Sequence, residues 1–203
     1  AAAQADGYYH DGGIDFTFAK ARKYRRLLQA LHELDLPFSD RVRQDGKVTL
    51  RLKKSPFCAW IMRTLGDEKV WGKWLLDYDR QTVNGLLSES LHWDGCFTRS
   101  NHYSSSVKQN ADWMQILYVL TGRRANLRRY HNGNPNSAVN YQLDVTDRNY
   151  SLTSNIEKDT MAFSGKVYCV SVPSGFIVVR RGGRVCITGN CPRKDNDPVG
   201  VRN

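Results

Sequence analysis

No apolar run in this chain approaches the roughly 20 residues that cross a bilayer. Its first residues also lack the basic-then-apolar order of a secretory signal. The expectation is therefore a soluble, cytoplasmic protein with no membrane partner. No CxxC spacing occurs and the histidines are not clustered, which argues against a structural zinc site. The five cysteines, Cys58, Cys96, Cys169, Cys186 and Cys191, are an odd set, so a disulfide framework is not expected and a reducing compartment suits them. Cys58 and Cys96 sit among apolar neighbours and read as core, and Cys186 reads as a packing residue. Acid is in short supply: 20 Asp and Glu against 30 Lys and Arg leave a formal charge of +10, an electrostatic argument for a polyanionic partner.

What is present is a repeat. Asp6-Gly7 leads into a strand pair around Gly12-Gly13. An amphipathic helix over 19–36 follows, with Tyr24, Leu27, Leu28, Leu31 and Leu34 at helical spacing. Two strands come next, near Arg41 to Arg43 and Val48 to Leu52, joined by Gln44-Asp45-Gly46-Lys47. The order recurs. A helix ending on Asp94-Gly95 precedes a hairpin over 96–106, a helix over 109–120 with Trp113, Ile116, Leu117 and Leu120 on one side, and strands near 126–131 and 139–145. Asp6 and Asp94 thus hold equivalent places 88 residues apart in two αββαββ units, and an internal duplication is a strong organisational signal.

Two such Asp residues, each closing a helix and opening a ribbon, resemble the LAGLIDADG homing endonucleases. The resemblance implies that the two motif helices pack on a pseudo-two-fold axis and bring Asp6 and Asp94 together to hold a divalent metal such as Mg2+ near scissile phosphates. It also implies that the strands form a saddle over double-stranded DNA. The side chains expected on that surface are Arg41, Arg43, Lys47, Arg51 and Lys53 in the first unit and Arg123, Arg124, Arg128 and Arg129 in the second. The family's basic residue near the end of each unit's last strand maps to Lys54 in the first unit and to Asp147 in the second, so one basic helper is missing. The first motif helix has only Ala1 to Ala5 ahead of Asp6. The five Trp residues, Trp60, Trp71, Trp74, Trp93 and Trp113, read as helix or core residues.

The stretch from Gly165 to Arg184 reads as two or three β-branched strands separated by Pro173-Ser174-Gly175 and Gly182-Gly183 turns. It runs into Thr188-Gly189-Asn190-Cys191. An isolated Thr-Gly-Asn-Cys is an ordinary polar turn. With the strands before it, it resembles the C-terminal splicing motifs of inteins. That resemblance implies the final strands of a Hint fold over 149–190, a C-extein stub over 191–203, and an endonuclease-like domain over 1–148 inserted ahead of them, an α+β architecture throughout. Cys169 and Thr188 stand where class 3 inteins place theirs, which implies a branched thioester on Cys169, acyl transfer to Cys191 and cyclisation of Asn190, with no cofactor. A class 1 variant, with the first nucleophile on a separate fragment, stays open, as does a DNA-binding or DNA-cutting module with a vestigial splicing tail. No Thr-x-x-His motif precedes Asp6. The expected partner is therefore an N-terminal intein fragment carrying its N-extein, with this chain as the C-terminal fragment of a split intein.

Overall fold

The computed structural model describes residues 1–96, 101–131, 138–147, 160–166, 168, 170 and 172–189. Its first unit comprises α1 (Ala2–Asp6), β1 (Gly7–His10), β2 (Gly13–Phe18), α2 (Ala21–Glu33), β3 (Phe38–Val42) and β4 (Val48–Lys53). After α3 (Pro56–Leu65) and a 3-10 turn (Lys73–Asp77), the second unit repeats the order with α4 (Arg80–Asp94), β5 (Gly95–Cys96), β6 (His102–Ser105), α5 (Lys108–Leu120), β7 (Arg124–Tyr130) and β8 (Asn140–Thr146). Both four-stranded sheets have the same strand order, β1-β2-β4-β3 and β5-β6-β8-β7, and every neighbouring pair is antiparallel.

Register equates the two sheets. Gly7 pairs with Phe16 and Phe16 with Leu50; Gly95 pairs with Tyr103 and Tyr103 with Leu143. Leu50 therefore corresponds to Leu143 and, counting onward, Lys54 to Asp147. Side chains alternate between faces along each strand. Ile14, Phe16, Phe18, Leu50 and Leu52 are buried on one face of the first sheet, and Tyr103, Ala125 and Leu143 on one face of the second. The helices cover those faces with Leu27 and Leu31 of α2, Val83, Leu87, Leu91 and Trp93 of α4, and Met114, Leu117 and Tyr118 of α5. The opposite face of each sheet carries the polar residues.

Two sequence expectations need correction. The side of α5 expected to be apolar is buried only in part: Leu117 is buried and Trp113 half-buried, but Ile116 and Leu120 are exposed, and the buried stripe runs through Asn110, Ala111, Met114, Gln115, Leu117 and Tyr118. Two amides interrupt the buried stripe because they satisfy backbone groups. Asn110 accepts from the Trp71 N–H at 2.8 Å and donates to the Lys69 carbonyl at 3.2 Å. Cys186 is exposed rather than packed, because no sheet among the described residues covers its two-stranded hairpin. The tryptophans fit the reading as helix or core residues: Trp71 and Trp93 are buried, and Trp60, though exposed, lies in α3. Cys58 is buried, as its neighbours suggest.

α3 was not anticipated, although its boundaries carry ordinary signals. Ser55 caps it by accepting from the Cys58 N–H at 3.1 Å, a proline opens it, and Gly66 ends it at φ 66. Beside α1 lies a cleft of about 720 Å³, lined by apolar residues including Leu27, Trp60, Leu86 and Trp93. No helix among the described residues is long and apolar enough to cross a membrane.

Near the C-terminal end, β9 (Phe176–Arg181) and β10 (Arg184–Gly189) form an antiparallel hairpin. Its Gly182-Gly183 turn has φ of 56 and 76, as a two-residue turn of the primed type requires. The turn Pro173-Ser174-Gly175 is present as well, closed by the Gly175 N–H on the Val172 carbonyl at 3.0 Å. Cys169, Asn190, Cys191 and the rest of 191–203 lie outside the described residues.

Candidate metal and nucleic-acid site

The two helix-to-strand junctions are built alike. At Gly7 an added Cβ would lie 2.6 Å from the Ala3 carbonyl oxygen; at Gly95 it would lie 2.4 Å from that of Leu91. Both glycines take extended dihedrals that any residue can adopt, φ −73 and φ −116. Close approach, and not backbone twist, is what demands glycine there. In each unit the strand turns back against the last helical turn, and the residue just before it is an aspartate. α1 packs on α4, so the two junctions, with Asp6 and Asp94, come to the same end of the helix pair.

The carboxylates sense each other. Burial, and next the Asp6 charge, push the Asp94 carboxyl up to about 6, against the pull of Lys23 and Lys69. Asp6 is held by the Lys23 ammonium at 2.6 Å, which also lies 5.9 Å from the Trp93 ring centroid. Lys69, at a positive φ of 52, donates to the Gly7 carbonyl at 2.9 Å. Asp94 lines a second, polar cleft of about 620 Å³ with Gln4, Glu68, Lys69, Ser104 and Asn140.

Lys54, the expected basic helper, is not at this site. Leu50 is level with Gly7, and Lys54 follows four residues later, roughly 13 Å along the strand at 3.3 Å per residue. Its N–H donates to the carbonyl of Gly12, in the β1–β2 turn. Lys23 and Lys69 are the cations at the carboxylates. Nothing in the helical spacing of 19–36 singles out Lys23, and the place of Lys69 depends on the turn after α3.

Among the described residues no group of three or more His, Cys, Asp or Glu could hold a metal. A pair of carboxylates nonetheless suits Mg2+, which binds through one or two carboxylates and completes its shell with water and phosphate oxygens. The pair's mutual repulsion, visible in the raised Asp94, is what a divalent cation would relieve.

The polar faces of the sheets carry most of the expected cations. In the first, Arg51 makes a two-pronged pair with Asp15 at 2.6 and 2.9 Å, holding that carboxyl down at about 2. Arg43 and Lys47 share Asp45, and Arg41 and Lys53 are exposed. In the second, Arg128 pairs with Asp144 across the strands at 2.5 Å, Arg123 lies 3.6 Å from Asp147, and Arg124 opens β7 on the same face as Arg128. Arg129 has the strand parity of Leu127 and Ala125 and so belongs to the opposite face. Thr188 lies exposed near the end of β10. The structure places it with none of Asp6, Asp94 or the sheet arginines.

No protein-family model matches the chain. It is 29% identical over 194 residues to the ribonucleoside-diphosphate reductase subunit beta of Aquifex aeolicus strain VF5, a match that covers 88% of this chain and 26% of that protein. The chain thus spans about a quarter of the length of the curated relative it matches. Among solved structures it resembles the homing endonuclease I-DmoI in complex with DNA and Mn, at 12% identity and TM-score 0.52 over 71% of this chain and 85% of that one. The I-DmoI complex with DNA and Ca aligns at 12% identity and TM-score 0.53, covering 71% and 78%. The chain has a LAGLIDADG endonuclease-like fold of helices and antiparallel sheets. Neither neighbour is a splicing domain.

Proposed function

We propose that this chain binds double-stranded DNA across the polar faces of its two sheets and holds a divalent cation on Asp6 and Asp94 to cut it. The observation that carries the reading is the convergence of two aspartates, delivered by duplicated junctions, at one end of the α1–α4 pair between two arginine-rich sheets. The neighbours named above were solved with DNA and with Mn or Ca, which supports it. A bound cation would supply Lewis-acid stabilisation and an activated water. The chain's own part is to place the carboxylates beside each other and beside the ammonium groups of Lys23 and Lys69. It also anchors phosphates through Arg41, Arg51, Lys53, Arg124 and Arg128, whose acidic partners Asp15 and Asp144 are released when phosphate takes their place.

The test begins with a randomised 40-base-pair duplex pool and electrophoretic selection at low salt. Affinity is expected to fall steeply with log salt, by about 0.9 per phosphate neutralised. Binding that ignores salt, or no binding, sinks the reading.

A second reading rests on the end of the hairpin. In sequence β10 is followed directly by Asn190-Cys191, and a curated relative that the chain matches is named for ribonucleotide reduction while the fold here is nuclease-like. That combination suits a segment carried within another protein, as an element that splices itself out would be. In this reading Cys169, Thr188, Asn190 and Cys191 perform the splice with an N-terminal fragment as partner. Mixing with a matching N-terminal intein fragment that carries an N-extein, followed by intact-mass measurement, is expected to show loss of residues 191–203 from the parent chain and not from Asn190→Ala. A parent chain that stays whole removes this reading and leaves the first untouched.

A further inference from the structure

The β9–β10 hairpin lies outside the duplicated units, yet it is fastened to the second one by its tip. The Leu127 N–H of β7, an edge strand, donates to the Gly183 carbonyl at 2.9 Å. Gln115 of α5, buried at 1% exposure, donates its amide to the carbonyls of Ala125 at 2.8 Å and Gly183 at 2.7 Å. Its oxygen accepts from Arg180 at 3.2 Å, and Arg180 also grips Asp112 at 2.6 Å. A Cβ on Gly183 would stand 2.1 Å from the Leu127 carbonyl oxygen, so the contact tolerates nothing larger than glycine.

This docking fixes which way the hairpin's arginines face. Arg180 reaches to α5, on the helix side of the second sheet. By alternation its neighbour Arg181, with the cross-strand partner Arg184, faces the other way, the side on which Arg124 and Arg128 lie. Like charges directly opposite one another disfavour a strand pair. Neither Arg181 nor Arg184 has an acidic partner among the described residues, and both are exposed. Residues 160–189 hold Lys166, Arg180, Arg181 and Arg184 and no acidic residue. The second sheet has a use for such charge, since Asp144 and Asp147 offset Arg128 and Arg123 and the counterpart of Lys54 is acidic.

We infer that Arg181 and Arg184, held by the docked Gly182-Gly183 turn, form an auxiliary phosphate clamp that extends the DNA footprint of the second sheet beyond the αββαββ fold. The clamp rests on the DNA-binding reading given above. Its occupant is the duplex backbone, and its role is affinity and register without base recognition.

Fluorescence anisotropy of the full chain with the selected duplex, between 50 and 300 mM KCl, tests it. Arg181→Gln/Arg184→Gln is expected to reduce the slope of log affinity against log salt by about 1.8, since each phosphate contact contributes about 0.9. Gly183→Ala keeps both arginines but unseats the tip, and is expected to lose most of the same slope; adding it to the double variant should cost little more. An unchanged slope in either variant, alongside a salt-dependent parent, overturns the clamp and leaves the DNA reading standing. A parent without salt-dependent binding overturns both. Thermal melting of each variant separates an unseated hairpin from an unfolded chain.

Discussion

Asp94→Asn is expected to abolish divalent-metal-dependent cutting of the selected duplex, by about a hundredfold or more, while making the metal-free protein more stable near neutral pH. The two effects have one source. The Asp94 carboxyl is raised from 3.8 to about 6, first by burial and then by the Asp6 charge. The folded chain therefore binds a proton more tightly there than the unfolded chain does, and stability falls as pH rises from about 4 through about 6. A shift of that size corresponds to about 1–3 kcal/mol of strain in the ionised form, at 1.36 kcal/mol per pH unit. Asparagine keeps the shape and removes the charge, so this cost disappears. It also removes a ligand and half of the paired charge, and losing about 2.7 kcal/mol of transition-state stabilisation is a hundredfold in rate. Chemical denaturation in EDTA at pH 4.5 and 7.5 should show the variant gaining over the parent only at the higher pH. Nicking assays with Mg2+ should show the loss at every pH, and parent activity should rise through about pH 6 as metal displaces the proton. A variant that is both less stable and inactive would mean that Asp94 is a packing residue, and the metal site would fall with it.

How much of this could be read from the sequence depends on whether the signal was local. The duplication was legible because turn chemistry and apolar periodicity recur at the same interval, so strand order and the equivalence of Asp6 with Asp94 follow without coordinates. The Asp-Gly junctions were visible as letters, but their reason, a strand pressed on the preceding helical turn, was not. The buried side of α5 was misread because Asn110 and Gln115 are buried amides. A periodicity argument counts them as solvent-facing, and only the backbone groups they satisfy, Trp71, Lys69, Ala125 and Gly183, explain their burial. Lys23 and Lys69 escaped notice for a related reason: they approach the aspartates from α2 and from the loop after α3, and no spacing rule links those segments to residues 6 and 94. Lys54 was placed by homology of position, and strand register then set it at the far end of the hairpin. Charge was legible as a total, but its sorting onto one face, with Arg129 on the other, required the strands.

Gly95→Ala should be among the most damaging single changes in the protein, although a glycine inside the preceding helix should respond in the opposite sense. At position 95 the new methyl would meet the Leu91 carbonyl oxygen at 2.4 Å and the Leu91 Cα at 2.6 Å. These are backbone atoms of a helix wedged between sheets, so nothing flexible can yield. Overpacking of this kind costs about 3 kcal/mol or more, roughly 6–12 °C in a chain of this size. Gly85 lies within α4, and a Cβ there meets nothing within 4 Å; alanine at that place should stabilise by about 1 kcal/mol through helix propensity. Calorimetry on both variants, side by side with the parent, isolates the steric effect, because both replace glycine by alanine in or next to α4. The functional consequence follows from geometry. If the strand is pushed off the helix, Asp94 moves relative to Asp6, and metal-dependent cutting should fail even at temperatures where Gly95→Ala remains folded. Should Gly95→Ala melt within about 2 °C of the parent, the junction is looser than the structure describes, and the close pairing of the two carboxylates that the nuclease reading requires loses its mechanical basis.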